Sequence, residues 1–349
     1  MSITDKNRKT YLDIIKILAI LFVLFNHSHW YITSNNKYIF YIHSLLFYLC
    51  KMAVPLFIMS SGALLLKKEM SYRQIFLKRI IRILVPLLIV TSLCYFFSSA
   101  SIKDFIGTLF FNYDKMSFSP YWLWYLYMLI GLYLVTPFIY KMINNFSKRD
   151  YIVFIGLFVF LFGLIKMIPI VSNIVLGNAL TINSSFVVNF FSINIGYYVL
   201  GYFLDNKNIS KNNVKVSLII LIISIILGSL FVSYGINEKK LWYDNLVTYD
   251  LVSVAIPTTC VFIIIKYYVS KYIIDNDFTI KIKKISNSVF GIYLFHPFII
   301  SLIYNSKYLD GIININTLYG VLLIDLFVFV VLFIFVYYLR KINFLKKIL

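Results

Sequence analysis

Acid is scarce in this chain. Only 14 of 349 residues are Asp or Glu, against 33 Lys and Arg, and all charged residues together make up 13%. Hydrophobic residues reach 61% and the mean hydropathy is +0.84, so there is too little polar surface to cover a water-facing globule. A soluble fold is excluded. Cysteine is also rare: Cys50, Cys94 and Cys260 are odd in number and all lie in apolar runs. They read as small packing residues, neither a disulfide framework nor a metal site. HExxH, CxxC, Walker A, GxSxG and GxGxxG patterns are missing, so a metalloprotease, a P-loop enzyme, a serine hydrolase of the elbow type and a dinucleotide enzyme all lose their usual sequence support. No metal is expected. Internal repeats and low-complexity tracts are missing too.

What the chain has is apolar length. Ten runs of roughly 20 residues, each long enough to span ~30 Å of hydrocarbon as helix, fall at about 11–30, 39–66, 80–99, 121–140, 151–169, 184–204, 215–234, 248–268, 286–305 and 317–339. Ten spans put both ends on one side. Alternate connections such as "DKNRK", "KKEMSYRQIFLKRIIR" and "RKINFLKK" hold 24 of the 33 basic residues, and the opposite connections hold seven. The positive-inside rule therefore predicts cytoplasmic N- and C-termini. Topology and anionic lipid account for the positive charge, which leaves no call for nucleic acid. The first span is too long for a cleavable signal peptide and leads into more membrane. The expected fold is all-α: one polytopic membrane bundle of about ten helices over 1–349, with no appended soluble domain. Trp30, Trp122, Trp124 and Tyr125 sit at predicted outer span ends and read as an aromatic belt. The abundance of Asn, Ile, Lys and Tyr points to an AT-rich bacterial genome, hence to the bacterial plasma membrane.

Ionisable groups inside spans are expensive and mark function by default. The first span holds Asp13, Lys16 and His27. At 100° per residue, Lys16 and His27 lie only ~20° apart around a helix and ~16 Å apart along it. Asp13 is close enough to Lys16 for an i,i+3 ion pair. His29 points to the other side and reads as interfacial beside Trp30. The second span contains Lys51 and then "VPLFIMSSGALLL", where Pro55 and the Ser60-Ser61-Gly62 group are expected to break or thin the helix or to allow a close crossing at Gly62. "SYRQIFLKRIIR" brings Arg79 and Arg82 to the start of the third span at i,i+3 spacing, with Arg73 nearby. Paired guanidinium groups suit phosphate oxygens, although spacing alone slightly favours positive-inside anchoring by lipid phosphates. "VFGIYLFHPF" sets Tyr293 and His296 one turn apart in the ninth span, with Pro297 bending the helix after them. Asp325 lies in the tenth span and wants a partner.

Taken as a set, these pieces resemble the acyltransferase-3 family, multi-span membrane enzymes that O-acylate cell-surface glycans. "RKTYLDIIKILAILFVLFNH" is similar to the family's opening, in which a basic residue and a histidine recur at this spacing, here Lys16 and His27. "PLFIMSSGALLL" resembles its second-span Phe…Ser-Gly signature, "RIIR" its cytoplasmic R-x-x-R motif, and "WYLYMLIGLYLVTPFI" and "FGIYLFHPF" its fourth and ninth spans. The positions after the fourth-span Trp, acidic in many members, are apolar here, as in short single-domain members that act on exopolysaccharide or lipid-linked glycans.

The resemblance implies an acyl-CoA-dependent O-acyltransferase that moves an acetyl or succinyl group from the cytoplasm to a glycan hydroxyl. No permanently bound cofactor is expected. It implies His27 as general base or transient acyl acceptor, with Lys16 and Asp13 beside it as candidate catalytic residues. Arg79, Arg82 and Arg73 become the candidate acyl-CoA-binding residues. Tyr293, His296, Ser61 and Trp124 are second candidates on the acceptor side. The partners implied are acyl-CoA, a cell-surface or lipid-linked glycan and membrane lipid, with room for a homo-oligomer. A glycan flippase or transporter is the rival reading, and a non-catalytic subunit of a polymer-synthesis complex is a third.

Overall fold

The computed structural model describes residues 9–33, 36–98, 101–109, 119–160, 165–177, 193–238, 241, 243–272, 276–306, 314 and 316–349. Among these residues the regular structure is helical throughout. Hydrocarbon demands this result: a helix satisfies its backbone N–H and C=O groups within itself, and only a closed barrel does the same. In chain order the helices are α1 (Thr10–Ser28), α2 (Lys37–Cys50), α3 (Ala53–Leu65), α4 (Tyr72–Ile75), α5 (Ile81–Phe96), α6 (Ile102–Leu109), α7 (Trp124–Asn144) and α8 (Lys148–Phe158). There follow α9 (Ile165–Leu176), α10 (Ile193–Asn206), α11 (Lys211–Asn237), α12 (Tyr243–Leu246), α13 (Val252–Tyr272), α14 (Asn276–Ser306), α15 (Leu318–Leu339) and α16 (Asn343–Ile348). A 3-10 turn, His29–Tyr31, extends α1, and a π turn, Phe76–Ile80, joins α4 to α5.

Among the described residues, eight helical segments are long and apolar enough to cross a membrane. They coincide with eight of the ten expected spans. The other two are described only in part: of 151–169 the flanks α8 and α9, with 161–164 outside the described residues, and of 184–204 only α10. Polar starts fix several helix entries. Ser71 with Gln74 and Ser147 with Asp150 close capping boxes, and Ser210 with Asn213 does the same at α11, each pairing backbone donors that a helix start leaves open.

The chain forms two compact units: Met1–Lys67 with Phe146–Phe333, and Lys68–Asn145 with Ile334–Leu349. In the first, α1 is the inner element. Leu12, Ile15, Ala19, Ile20 and Leu24 are fully buried as α1 packs on α14, α3, α13 and α2. Helix α3 packs most closely on α10. A Cβ added to Gly62 would lie 1.8 Å from the carbonyl oxygen of Tyr198, and one added to Gly201 would lie 2.1 Å from that of Met59. Two glycines thus let two backbones touch, the way helices associate where lipid is as apolar as leucine. The close crossing expected at Gly62 is present.

Of the two expected breakers, the Ser60-Ser61-Gly62 group causes no break, since α3 runs through it, and the break belongs to Pro55. It lies at Lys51–Met52, between α2 and α3. Pro55 explains the position, because its missing N–H and its ring both act on the carbonyl four residues earlier, that of Lys51.

The helix ends that the basic residues assign to the cytoplasm meet at Asp205, at the end of α10. Lys9 binds its carboxylate at 2.6 Å and Lys67 at 3.1 Å, and Tyr11 donates to it as well. Burial pushes this carboxyl up, but the hydrogen bonds from Lys9, Tyr11 and Lys67 outweigh burial and hold it below its ordinary value. Lys266 of α13 donates to the carbonyls of Leu204, Asp205 and Lys207 at 2.6, 2.9 and 2.7 Å, capping the end of α10. At the opposite ends of α1 and α14, the Tyr31 and Tyr304 rings stack with centroids 3.5 Å apart.

The second unit holds α4, α5, α6, α7, α16 and the end of α15. Lys141 of α7 pairs with Glu69 at 3.9 Å, and the Tyr72 and Phe138 rings meet at 5.6 Å. Trp122 is only 2% exposed and Tyr125 is buried. Their expected place in a lipid-facing belt is therefore corrected: these rings face protein, and Trp124 beside them is half-buried. Trp30, 47% exposed, keeps the interfacial character expected of it.

Candidate functional site

The end of α1 reads Asn26-His27-Ser28-His29, and its four side chains engage the α2–α3 turn and the helices α14, α15 and α2 in turn. Asn26 accepts a hydrogen bond from Lys51 Nζ at 3.0 Å, in the gap between α2 and α3. His27 meets His296 of α14, ring centroids 4.9 Å apart. Ser28 Oγ donates to Asp325 Oδ2 of α15 at 2.9 Å. His29 Nδ1 lies 3.2 Å from His43 Nε2 of α2. Successive helical residues point 100° apart, so four adjacent side chains reach four neighbours. Inner helices do this and surface helices do not.

The Asp13–Lys16–His27 face of α1 is the face turned to α14. Near its start, Ser286 Oγ donates to Asp13 Oδ1 at 2.6 Å, and near its end His27 reaches His296. Asp13 and Ser286 are buried, while Lys16 and His27 are half-buried. The two contacts ascend both helices together, so α1 and α14 run parallel, as two odd-numbered spans must.

His296 is fully buried, and its environment follows from its neighbour. Pro297 has no N–H, so the carbonyl of Tyr293, four residues back, has no helical donor. His296 Nδ1 takes that place at 2.8 Å. A carbonyl only accepts, so Nδ1 carries the proton and Nε2 of the neutral ring keeps its lone pair. That Nε2 has no hydrogen-bond partner among the described residues. The Tyr293 ring lies 6.0 Å from the His296 ring. The structure thus brings His27, His296 and Tyr293 together. Ser61 is half-buried on α3, next to the fully buried Ser60.

His29 departs from expectation. It is not interfacial: it is 1% exposed and belongs to a second histidine pair. Beyond it, His43 Nδ1 lies 3.1 Å from the Tyr243 hydroxyl. His43 and Tyr243 were not among the sequence candidates. A signal was available, since His43 is one of only four histidines and lies in an apolar span, where an ionisable group is a functional hypothesis by default. Asp325, whose partner the sequence could not name, is 7% exposed and is held by Ser28.

Arg73, Arg79 and Arg82 lie in the second unit. Arg73 is exposed on α4, Arg79 is half-buried in the π turn, and Arg82 is exposed on the first turn of α5. Among the described residues none of the three forms an ion pair, and the buried Nε of Arg79 has no hydrogen-bond partner. Wide turns of this kind recur at functional positions. Trp124 opens α7 in the same unit, its ring 6.2 Å from that of Tyr125. No group of three or more potential metal ligands occurs among the described residues.

Helices of this length and apolarity, with histidines paired inside the bundle, define a multi-pass membrane protein with acid–base groups at membrane depth. The chain belongs to the acyltransferase-3 family: the family model, described as an acyltransferase domain, matches residues 9–341. It is a membrane acyltransferase. No curated protein and no solved structure matches it.

Proposed function

We propose that the protein moves an acetyl or succinyl group from cytoplasmic acyl-CoA to a hydroxyl of a cell-surface or lipid-linked glycan, at the plasma membrane of a bacterium. The observation that carries the reading is the contact of His27 with His296 in a chain of an acyltransferase family. Acyl transfer to an alcohol needs a base, because a neutral hydroxyl is a poor nucleophile. His27 removes the hydroxyl proton as the oxygen attacks the thioester carbonyl. The C–S bond then breaks and the coenzyme leaves as a thiol, taking the proton back from the imidazolium. In the other order, the His27 nitrogen attacks the thioester and the C–S bond breaks, the coenzyme leaving as a thiol with the ring's proton; the hydroxyl then takes the acyl group from the nitrogen and returns its proton to the ring.

His296 supports this chemistry with a ring whose proton is fixed on Nδ1 and whose other edge is a hydrogen-bond acceptor. Arg79, Arg82 and Arg73 bind the coenzyme's phosphates through charge-assisted hydrogen bonds; their lack of ion pairs among the described residues supports the assignment. Asp13, tied to Ser286, holds the lower part of the α1 face where Lys16 stands.

The test uses purified protein in lipid vesicles with labelled acetyl- and succinyl-CoA and a glycan extract from the cell envelope. The label is expected in the glycan, and His27→Ala and Arg79→Ala are expected to lose it. Glycan movement across the vesicle that needs no acyl donor and survives His27→Ala would instead establish the flippase reading.

A further inference from the structure

The His29–His43 pair has no part in the mechanism above, yet it lines a cavity. The space measures about 210 Å3 and is bounded by His29, Trp30, Ile32, Ile39, Phe40, His43 and Tyr243. It lies at the end of α1 far from Asp205, the end that the basic residues assign to the outside. Its walls are aromatic: the Trp30 ring lies 4.2 Å from His29 and 6.4 Å, edge-on, from Tyr243. Trp30 is 47% exposed, whereas His29 and His43 are 1% and 7% exposed. One side of the site is therefore open and its polar floor is not.

That floor is a hydrogen-bonded chain. The Tyr243 hydroxyl lies 3.1 Å from His43 Nδ1, and His43 Nε2 lies 3.2 Å from His29 Nδ1. At the end of the chain, His29 Nε2 is buried and has no hydrogen-bond partner among the described residues. A neutral imidazole donates from one nitrogen and accepts at the other. If Tyr243 donates, each link points towards His29, and Nε2 ends the chain as a donor. If Tyr243 accepts, every link reverses and Nε2 ends it as an acceptor. The open end can thus meet a hydroxyl in either orientation. A buried polar atom left without a partner is destabilising, and a ligand hydroxyl removes that penalty.

We propose that this cavity is the acceptor subsite of the acyltransferase: it holds one sugar ring of the glycan, stacked on Trp30, with a hydroxyl hydrogen-bonded to His29 Nε2. The inference rests on the function proposed above. An aromatic wall suits the apolar C–H face of a sugar, and a few convergent polar groups fix its orientation, the usual division of labour in small-ligand sites. The volume falls below the ~300–1,000 Å3 of drug-sized sites, so it takes one ring of a longer chain. His29 touches the sugar, while His43 and Tyr243 act as positioning residues through it. No bond is made or broken here.

The experiment titrates the envelope glycan extract against fixed labelled acetyl- or succinyl-CoA in vesicles, then titrates each acyl-CoA at fixed extract. Trp30→Ala is expected to raise the half-saturating amount of extract roughly tenfold, one stacking contact, and Tyr243→Phe, which leaves His43 Nδ1 without its partner and so biases the direction of the chain, to raise it a few-fold. The half-saturating acyl-CoA concentration and the rate at saturating extract stay within twofold. Trp30→Phe, which keeps a ring, restores most of the loss, and a merely misfolded variant would not respond that way. The inference is overturned if both variants bind extract as the wild type does, or if only the acyl-CoA constant moves; the function proposed above survives either result. If the wild type labels no glycan with either donor, that function fails and the subsite fails with it.

Discussion

His27 and His29 stand two residues apart at the end of one helix, yet they face different helices and their partners set them different tasks. His27 meets His296, whose Nδ1 is bonded to the Tyr293 carbonyl. A carbonyl has no hydrogen to give, so the tautomer of His296 is fixed by the backbone. His29 meets His43, which meets the Tyr243 hydroxyl. Each of those groups can give or take, so the direction of the second chain is free. A fixed tautomer suits a neighbour that must keep one polarity beside the base His27, and a reversible chain suits one that must fit a hydroxyl whichever way it turns. The sequence "NHSHW" contains both devices because a helix turns 100° per residue.

The largest expected effect separates the pairs outright. His27→Ala should lower the turnover of labelled acyl-CoA with saturating glycan by about 10²–10⁴-fold, the usual worth of a positioned base. Tyr243→Phe, in the other pair, should leave turnover at saturation within twofold. Equal losses in the two variants would break the comparison and make the four histidines one functional unit.

Pro297→Ala is the sharper test of the fixed tautomer. It returns an N–H to position 297, which competes with His296 Nδ1 for the Tyr293 carbonyl. Turnover should fall on the order of tenfold, the scale of one hydrogen bond to a polarised group, and the pH–rate profile should shift. Removing a proline from a helix interior stabilises the helix, so melting in detergent should rise or hold. A variant that melts higher and turns over more slowly shows that the proline serves the histidine. Unchanged turnover would show that the Tyr293 carbonyl is not needed.

How much of this was legible before the structure depends on what each feature requires. A span requires only apolar length, and eight of the ten expected spans coincide with eight long helices. Of the run 151–169, residues 161–164 lie outside the described residues, and only its two flanks, α8 and α9, are described. The face shared by Asp13, Lys16 and His27 was legible because it is a property of one helix; that it packs on α14 was not. Helical periodicity gives the direction of a side chain and says nothing of the neighbour it meets. Hence Ser28 for Asp325, Ser286 for Asp13 and Tyr243 for His43 all came from packing. Of the two breakers expected in the second span, Pro55 acts and the Ser60-Ser61-Gly62 group does not, for a related reason. Small residues can mark either a weak helix or a close crossing, and at Gly62 the carbonyl of Tyr198 decides for the crossing.

Ser28 gives the smallest and most discriminating effect on activity, because it lies between the two histidines and belongs to neither pair. Its hydroxyl donates to Asp325 Oδ2, and both residues are buried. Ser28→Ala removes that donor and leaves a buried carboxyl oxygen unsatisfied, a loss of about 1–3 kcal/mol in stability. The melting temperature in detergent should therefore fall. The acyl-CoA constant, the glycan constant and turnover should each stay within twofold, since neither His27–His296 nor His29–His43 depends on this bond. If turnover falls together with stability, the helix end acts as one rigid block and the pairs are coupled through it. If stability alone falls, the two histidine pairs are independent devices on a shared scaffold, and the bond from Ser28 to α15 holds that scaffold still.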